Sequence, residues 1–290
     1  MREYVVVTDS TCDLPNSLVE ELGIVVIPLG FSVDNRSYLH YPDEREMSIK
    51  EFYRLLREEK TSTTSQIPPD RFIEVFQSIL SEGKDIIYFC FSSALSGTYN
   101  SARLAEDELM GQYPHQHIIT VDTKAASMGE GLFVYHAALK KRQGCSLIEL
   151  KEWAENARDS FCHWFTVDDL HHLKRGGRIS ATTEVIGTLL SVKPILHVDV
   201  DGRLNAVERV RGRRRSLNRL MEHMQNTYVD AQRQTVFIGH GDCIEDARYL
   251  EEAIRSKMDV GDIVIGFTGP IIGSHTGAGM VGLFYQGSHK

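Results

Sequence analysis

Short apolar runs alternate with amphipathic stretches along the first half of the chain. Tyr4 to Thr8 (YVVVT) predicts a buried strand, and Ile24 to Leu29 the next one. Asp85 to Phe91 (DIIYFCF) is a strongly apolar strand, and His117 to Val121 is another. Helical patterns lie between them. One begins at Pro15 with Asp13 as its cap, since proline suits a first helical turn. Ser48 to Glu59 places Ile49, Phe52, Tyr53 and Leu56 on one face. Asp70 to Ser81, a segment through Ala102 and Leu109, and Ala126 to Arg142 are also helical, while Thr61 to Pro69 reads as a polar loop. This alternation predicts an α/β fold with a parallel sheet covered by helices on both faces.

Gly144 and Cys145 break the pattern, and Ser146 to Asp159 follows as a connecting helix. Phe161 to Val167 then reads as a strand. Val192 to Val200 and Arg203 to Val210 flank Asp201-Gly202, a strong hairpin signal. Gly212 to Tyr228 and Ile244 to Met258 are helical, with strands at Thr235 to His240, Asp262 to Phe267 and Gly279 to Gln286. The expected organisation is two domains: an N-terminal parallel-sheet α/β domain over 1–160 and a C-terminal mixed-sheet α/β domain over 161–290. Neither an internal repeat nor a low-complexity linker separates them, so the halves are expected to pack around a cleft.

Composition narrows the class. Hydrophobic residues make up 42% and charged residues 25%, as in a soluble globular protein. The longest apolar runs are too short to span a bilayer. The opening residues lack the apolar region and cleavage site of a signal peptide, so a cytoplasmic protein is expected. A formal net charge of -8 argues against general nucleic-acid binding. Arg209, Arg211, Arg213, Arg214, Arg215 and Arg219 form a local basic cluster, read as a solvated helix face or a dock for an acidic partner. Cys12, Cys90, Cys145, Cys162 and Cys243 are scattered without a C-x-x-C, so they are expected to be reduced and mostly buried.

Three segments could carry chemistry. Phe91 to Ser101 (FSSALSGTYNS) follows an apolar strand and opens a helix, where α/β sheets bind ligands and helix N–H groups favour an anion. Its Ser and Thr residues could equally serve as helix caps. Thr61 to Gln66 (TSTTSQ) is dense in hydroxyls. Thr268 to Gly279 mixes glycines, an apolar pair and His275, which could be a structural loop histidine. Gly277 to Gly282 fits G-x-G-x-x-G but lacks the following helix and acidic residue of a dinucleotide site. Asp168, Asp169, His171 and His172 lack metal-ligand spacing, and His240 with Asp242 has no second ligand set, so neither a metal nor a cofactor is expected.

In order along the chain, VTDSTCDLP (Val7 to Pro15), TSQIPPDRF (Thr64 to Phe72), SSALSGTYNSA (Ser92 to Ala102), VDTKAASMGEGL (Val121 to Leu132), LKRGGRIS (Leu173 to Ser180), LLSVKPIL (Leu189 to Leu196), VRGRRRS (Val210 to Ser216) and GPIIGSHTGAG (Gly269 to Gly279) resemble the motifs of the DegV family. Ile67-Pro68 stands where the family usually has Pro-Ser, and Gly212 where a threonine is common. The resemblance implies a carrier, not an enzyme, that binds one long-chain fatty acid (palmitate- or oleate-like) between its domains. It implies presentation of the carboxylate to a separate fatty acid kinase subunit, with transient membrane contact allowed. By motif position Thr64, Ser96 and His275 would hold the carboxylate, and Arg178 and Arg211 would face the kinase or the phosphate.

A tail of this kind needs an apolar tunnel, for which Phe31, Met128, Phe133, Phe165, Ile186, Leu189, Ile195 and Ile271 are candidates, each equally a core residue. A rival reading is a serine esterase or thioesterase with Ser96, His275 and Asp242, although G-x-S-x-G is missing. A stand-alone kinase would need a phosphate-binding loop that the sequence does not contain.

Overall fold

The computed structural model describes residues 2–168, 170–179, 191–229 and 233–290. The elements in chain order begin with β1 (Tyr4–Asp9), α1 (Asn16–Leu22), β2 (Val25–Ile27), β3 (Gly30–Val33), β4 (Arg36–Leu39), α2 (Ile49–Arg57) and β5 (Ser62–Ser65). They continue with α3 (Pro69–Ser81), β6 (Asp85–Cys90), α4 (Thr98–Met110), β7 (Ile118–Asp122), α5 (Met128–Arg142), α6 (Leu147–Ala157), β8 (Phe161–Thr166) and α7 (His171–Arg175). The last are β9 (Val192–Val198), β10 (Leu204–Arg211), α8 (Arg213–Thr227), β11 (Val236–His240), α9 (Ile244–Lys257), β12 (Ile263–Phe267), α10 (Pro270–Thr276) and β13 (Val281–Gln286).

The first sheet runs β2-β1-β6-β7 and is wholly parallel. The second runs β10-β9-β8-β13-β11-β12 and is mixed, with only β11 and β12 parallel. The two-domain α/β expectation therefore holds. Helix α5 lies between the sheets, where its Leu132, Phe133 and Val134 join a core with Val6, Phe89, Phe161 and Phe237. Its residues 128–134 are all buried, so its first turns carry no exposed polar face, whereas Lys140, Lys141 and Arg142 form a partly exposed last turn. Helices α3 and α4 cover the other face of the first sheet. Helices α8 and α9 cover the far face of the second.

Several local expectations need correction. Thr61 to Pro69 is not all loop: β5 pairs with β3, which also pairs with β4, in a small third sheet. Asp34 and Asn35, both at positive φ, close the β3–β4 hairpin, as residues that tolerate left-handed backbone do. Pro15, not Asp13, is the N-cap of α1. Asp13 instead has φ 51 and sends its carboxylate to Ser127 and Gly269. The segment holding His275 is the short helix α10, with Pro270 at its first turn. The basic cluster is partly absorbed by the fold. Arg213 bonds Asp246 and the Gly279 carbonyl, Arg219 bonds Glu208 and Glu222, and Arg214 lies 3.9 Å over the Tyr249 ring.

The predicted β9–β10 hairpin is present, and its tip crosses to the first domain. Ser92 Oγ donates to the Gly202 carbonyl at 2.8 Å, and Lys124 Nζ to the Val200 carbonyl at 2.7 Å.

Candidate functional site

A cavity of about 240 Å³ opens where these layers meet. The loop after β6 contributes Phe91, Leu95, Ser96 and Gly97, β5 contributes Thr64 and Ser65, and α10 contributes Ile271, Ile272, His275 and Thr276. The second sheet contributes Phe165, Val198, Leu204 and Phe284. Strand alternation aims Phe165 inward while Trp164 stacks on His223 on the opposite face. Most of the lining is apolar, and no Asp or Glu stands among the described lining residues. The polar groups gather around Thr64, Gln66, Ser96, Arg178 and His275.

Pairing with β3 sets which hydroxyls of TSTTSQ face inward. Thr63 Oγ1 bonds Ser32 on the outer side, whereas Thr64 Oγ1 is hydrogen-bonded to His275 Nε2 at 2.8 Å. His275 loses its proton readily: burial, then Arg178, Arg175 and His172 nearby, lower its pKa to about 4. It is therefore a neutral imidazole at pH 7. Its Nδ1 is buried without a hydrogen-bond partner among the described residues and packs over Gly176, where a Cβ would stand only 2.1 Å away. Ser96 Oγ bonds Thr98 Oγ1 at 2.9 Å and accepts from the Thr98 N–H at 3.2 Å, so it satisfies the first N–H of α4, whose N-cap is Gly97. A Cβ at Gly97 would lie 2.1 Å from Gln66 Oε1, so any larger residue there would have to displace the Gln66 amide. Arg178 donates to the carbonyls of Leu95 at 3.2 Å and Gly176 at 2.5 Å, and burial lowers its pKa.

Thus Thr64, Ser96, His275 and Arg178 line one cavity, and Arg211 does not: it is exposed at the end of β10. Of the tunnel candidates, Phe165 and Ile271 line the cavity. Met128, Phe133 and Ile195 are fully buried core residues, and Phe31 borders a separate groove over the third sheet. Ile186 and Leu189 lie outside the described residues, as do Asp169 and Ser180. The proposed esterase triad is not assembled by any hydrogen bond among described residues. His275 bonds Thr64, Ser96 bonds Thr98, and Asp242 pairs with Arg57. Asp168 pairs with Lys193 at 2.6 Å, and no group of described residues could hold a metal ion.

The sequence reading missed Ser127. It lines the cavity at φ 55 and ψ -151, backbone that glycine alone normally adopts, and its Oγ donates to Asp13 Oδ2 at 2.6 Å. The motif around Ser127 was visible, but its strain appears only in three dimensions.

These features define an α/β protein that encloses a largely apolar cavity between two sheets, with a polar mouth at which no described residue is a carboxylate. The model described as the DegV family matches residues 3–287, and the chain belongs to that family. It is 46% identical over 290 residues to a DegV domain-containing protein of Clostridium perfringens, covering 100% of this chain and 99% of the relative. Among solved structures it is similar to a DegV family protein of Thermus thermophilus described by its fatty acid binding. The two share 32% identity and a TM-score of 0.86, with 99% of this chain and 100% of the other covered. A DegV lipid-binding protein of Thermotoga maritima has 28% identity and a TM-score of 0.86, with 99% of each chain covered.

Proposed function

We propose that this chain binds one long-chain fatty acid, with its carboxylate at Thr64, Ser96 and His275 and its tail among the apolar lining. The observation that carries the reading is the division of one cavity into an apolar body and a mouth of hydroxyls beside a neutral imidazole. The likeness to the Thermus thermophilus fatty-acid-binding protein supports it. Burying about 14 methylenes at about 0.8 kcal/mol each contributes roughly 11 kcal/mol gross, from which immobilisation subtracts. The tail supplies most of the affinity, and the mouth selects the acid because a buried carboxylate must be hydrogen-bonded.

In this reading the bound carboxylate is presented to a separate kinase subunit in the cytoplasm for acyl-phosphate formation. Hydroxyls and a neutral histidine hold it without a tight ion pair, leaving an oxygen to attack the phosphoryl group. Arg178 at the cavity and exposed Arg211 face the incoming phosphate or the kinase. The domain boundary falls near residue 160, between the strands of the first and second sheets.

Denaturing mass spectrometry of protein made in bacteria is expected to release one fatty acid per chain. Lipid-free protein that also fails to take up palmitate or oleate would overturn the proposal.

A further inference from the structure

The VTDSTCDLP motif does not line the cavity, yet three of its side chains hold segments that do. Ser10 Oγ accepts from the Leu29 N–H at 2.9 Å. Asp13 Oδ1 accepts from the Gly269 N–H at 3.0 Å, at the start of the helix carrying His275. Asp9 Oδ2 accepts from the Phe91 N–H at 3.2 Å, at the start of the loop carrying Ser96.

Asp9 is hydrogen-bonded on both carboxyl oxygens. Its Oδ1 accepts from the Thr11 N–H at 3.0 Å and lies 2.5 Å from Thr11 Oγ1. Its Oδ2 takes the Phe91 N–H and the Tyr88 hydroxyl, the latter at 2.7 Å. Burial raises the Asp9 pKa, but both of its oxygens receive a backbone N–H that opposes the rise, and Glu130 has none, so of the pair Asp9 is the ionised acceptor. Thr11 Oγ1 also lies 2.7 Å from Glu130 Oε2. A hydroxyl has one proton, so Thr11 cannot donate to both carboxyl groups. Among the described residues Glu130 Oε1 is hydrogen-bonded only to Thr8 Oγ1, at 3.0 Å, and that hydroxyl is also 3.0 Å from the Phe89 carbonyl. Glu130 is fully buried and has no N–H among these contacts to offset a charge.

We propose that Glu130 is held as a neutral carboxylic acid that donates to Thr11, freeing Thr11 to donate to ionised Asp9, and that this relay positions the ligand-binding loop after β6. Glu130 is a positioning residue; it does not touch the cavity. The titratable groups facing it are Asp9 and Asp13, with the Cys12 and Cys90 thiols, none of them cationic. From β8, buried His163 packs on the adjacent Gly129, and burial keeps that imidazole neutral. Burial raises the Glu130 pKa well above the usual carboxylate range, in agreement with the proton count.

The tethering of the loop matters for lipid only if the proposed fatty-acid function holds, but the protonation state does not depend on it. Infrared spectroscopy of lipid-free protein with ¹³C-glutamate is expected to show a protonated-carboxyl stretch at pH 7 that vanishes in Glu130→Gln. Glutamine keeps the same donor and acceptor pattern, so this variant is expected to bind palmitate within about twofold of wild type. The folded pKa of Glu130 is raised, so wild-type stability is complete below the usual glutamate range and is lost as pH rises toward the folded value. The unfolding constant of wild type relative to Glu130→Gln should therefore rise about tenfold per pH unit there. Asp9→Asn, which turns an N–H donor toward N–H donors, should weaken palmitate binding at least about tenfold. Absence of the Glu130 stretch at pH 7, or equal pH profiles for wild type and Glu130→Gln, would overturn the inference. Failure of both proteins to bind any fatty acid would overturn the functional reading and leave the protonation result standing.

Discussion

The cavity mouth and the Asp9–Asp13 turn are both built from short polar side chains, yet they treat charge in opposite ways. The mouth offers hydroxyls, a neutral imidazole and a half-buried guanidinium, and no described carboxyl group of the protein lines it. The turn packs Asp9 and Asp13 against Glu130 of α5 in a buried cluster, where the two aspartates accept from hydroxyls and backbone N–H groups and Glu130 meets hydroxyls alone among these contacts. Under the proposed function, the mouth that takes the carboxylate keeps the protein's own acids one layer away. There they fix the backbone of the binding loops without repelling the guest.

The largest expected effect tests the buried side. Asp13→Ala leaves the Gly269 N–H and the Ser127 hydroxyl without their acceptor. At about 1–3 kcal/mol per orphaned buried group, denaturant unfolding should show a loss of about 3 kcal/mol. Next come Thr64→Ala and Ser96→Ala, each expected to weaken palmitate binding by about 1.5–3 kcal/mol, the value of a hydrogen bond to a charged group. Calorimetry with the chain-matched alcohol should show little change; equal losses for acid and alcohol would erase the distinction between mouth and turn. Gly176→Ala pushes a methyl into the His275 ring. It should cost about 1–2 kcal/mol of palmitate affinity by the usual penalty of overpacking, with a smaller change in melting temperature.

The two regions also respond to pH in opposite directions. The His275 pKa is depressed from 6.5 to about 4, so its contribution is present above 6.5 and lost as pH falls toward 4. The Asp13 pKa is raised from 3.8 to about 8, so its contribution is present below 3.8 and lost as pH rises toward 8. Denaturation curves of His275→Gln and Asp13→Asn against wild type should diverge at opposite ends of the pH range. The smallest effect is expected for Arg211→Ala, an exposed position: lipid affinity within about 0.5 kcal/mol of wild type, with acyl-phosphate formation by the added kinase reduced.

Alternation of apolar runs and helices exposed both large sheets in the sequence, and Asp201-Gly202 marked its hairpin correctly. The third sheet was hidden because Ser62–Ser65 carries no apolar residue. Its strand character comes from pairing with β3. Asp34-Asn35 was an available hairpin signal for β3 and β4. Family motifs pointed to Thr64, Ser96 and His275, but the sequence could not join Asp13 to Gly269, which lies 256 positions away. Nor could it separate Phe165, which reaches the cavity, from Phe133, which is sealed in the core.

The bridge from the β9–β10 tip to the first domain has an implication for sequence drift. Ser92 and Lys124 grip main-chain oxygens, so the latch reads no side chain at residues 200 and 201. Gly202 is different: its φ of 78 and a 2.2 Å approach to Ser92 Oγ leave no room for another residue. Substitution tolerance should therefore be broad at residues 200 and 201 and collapse at the glycine that follows.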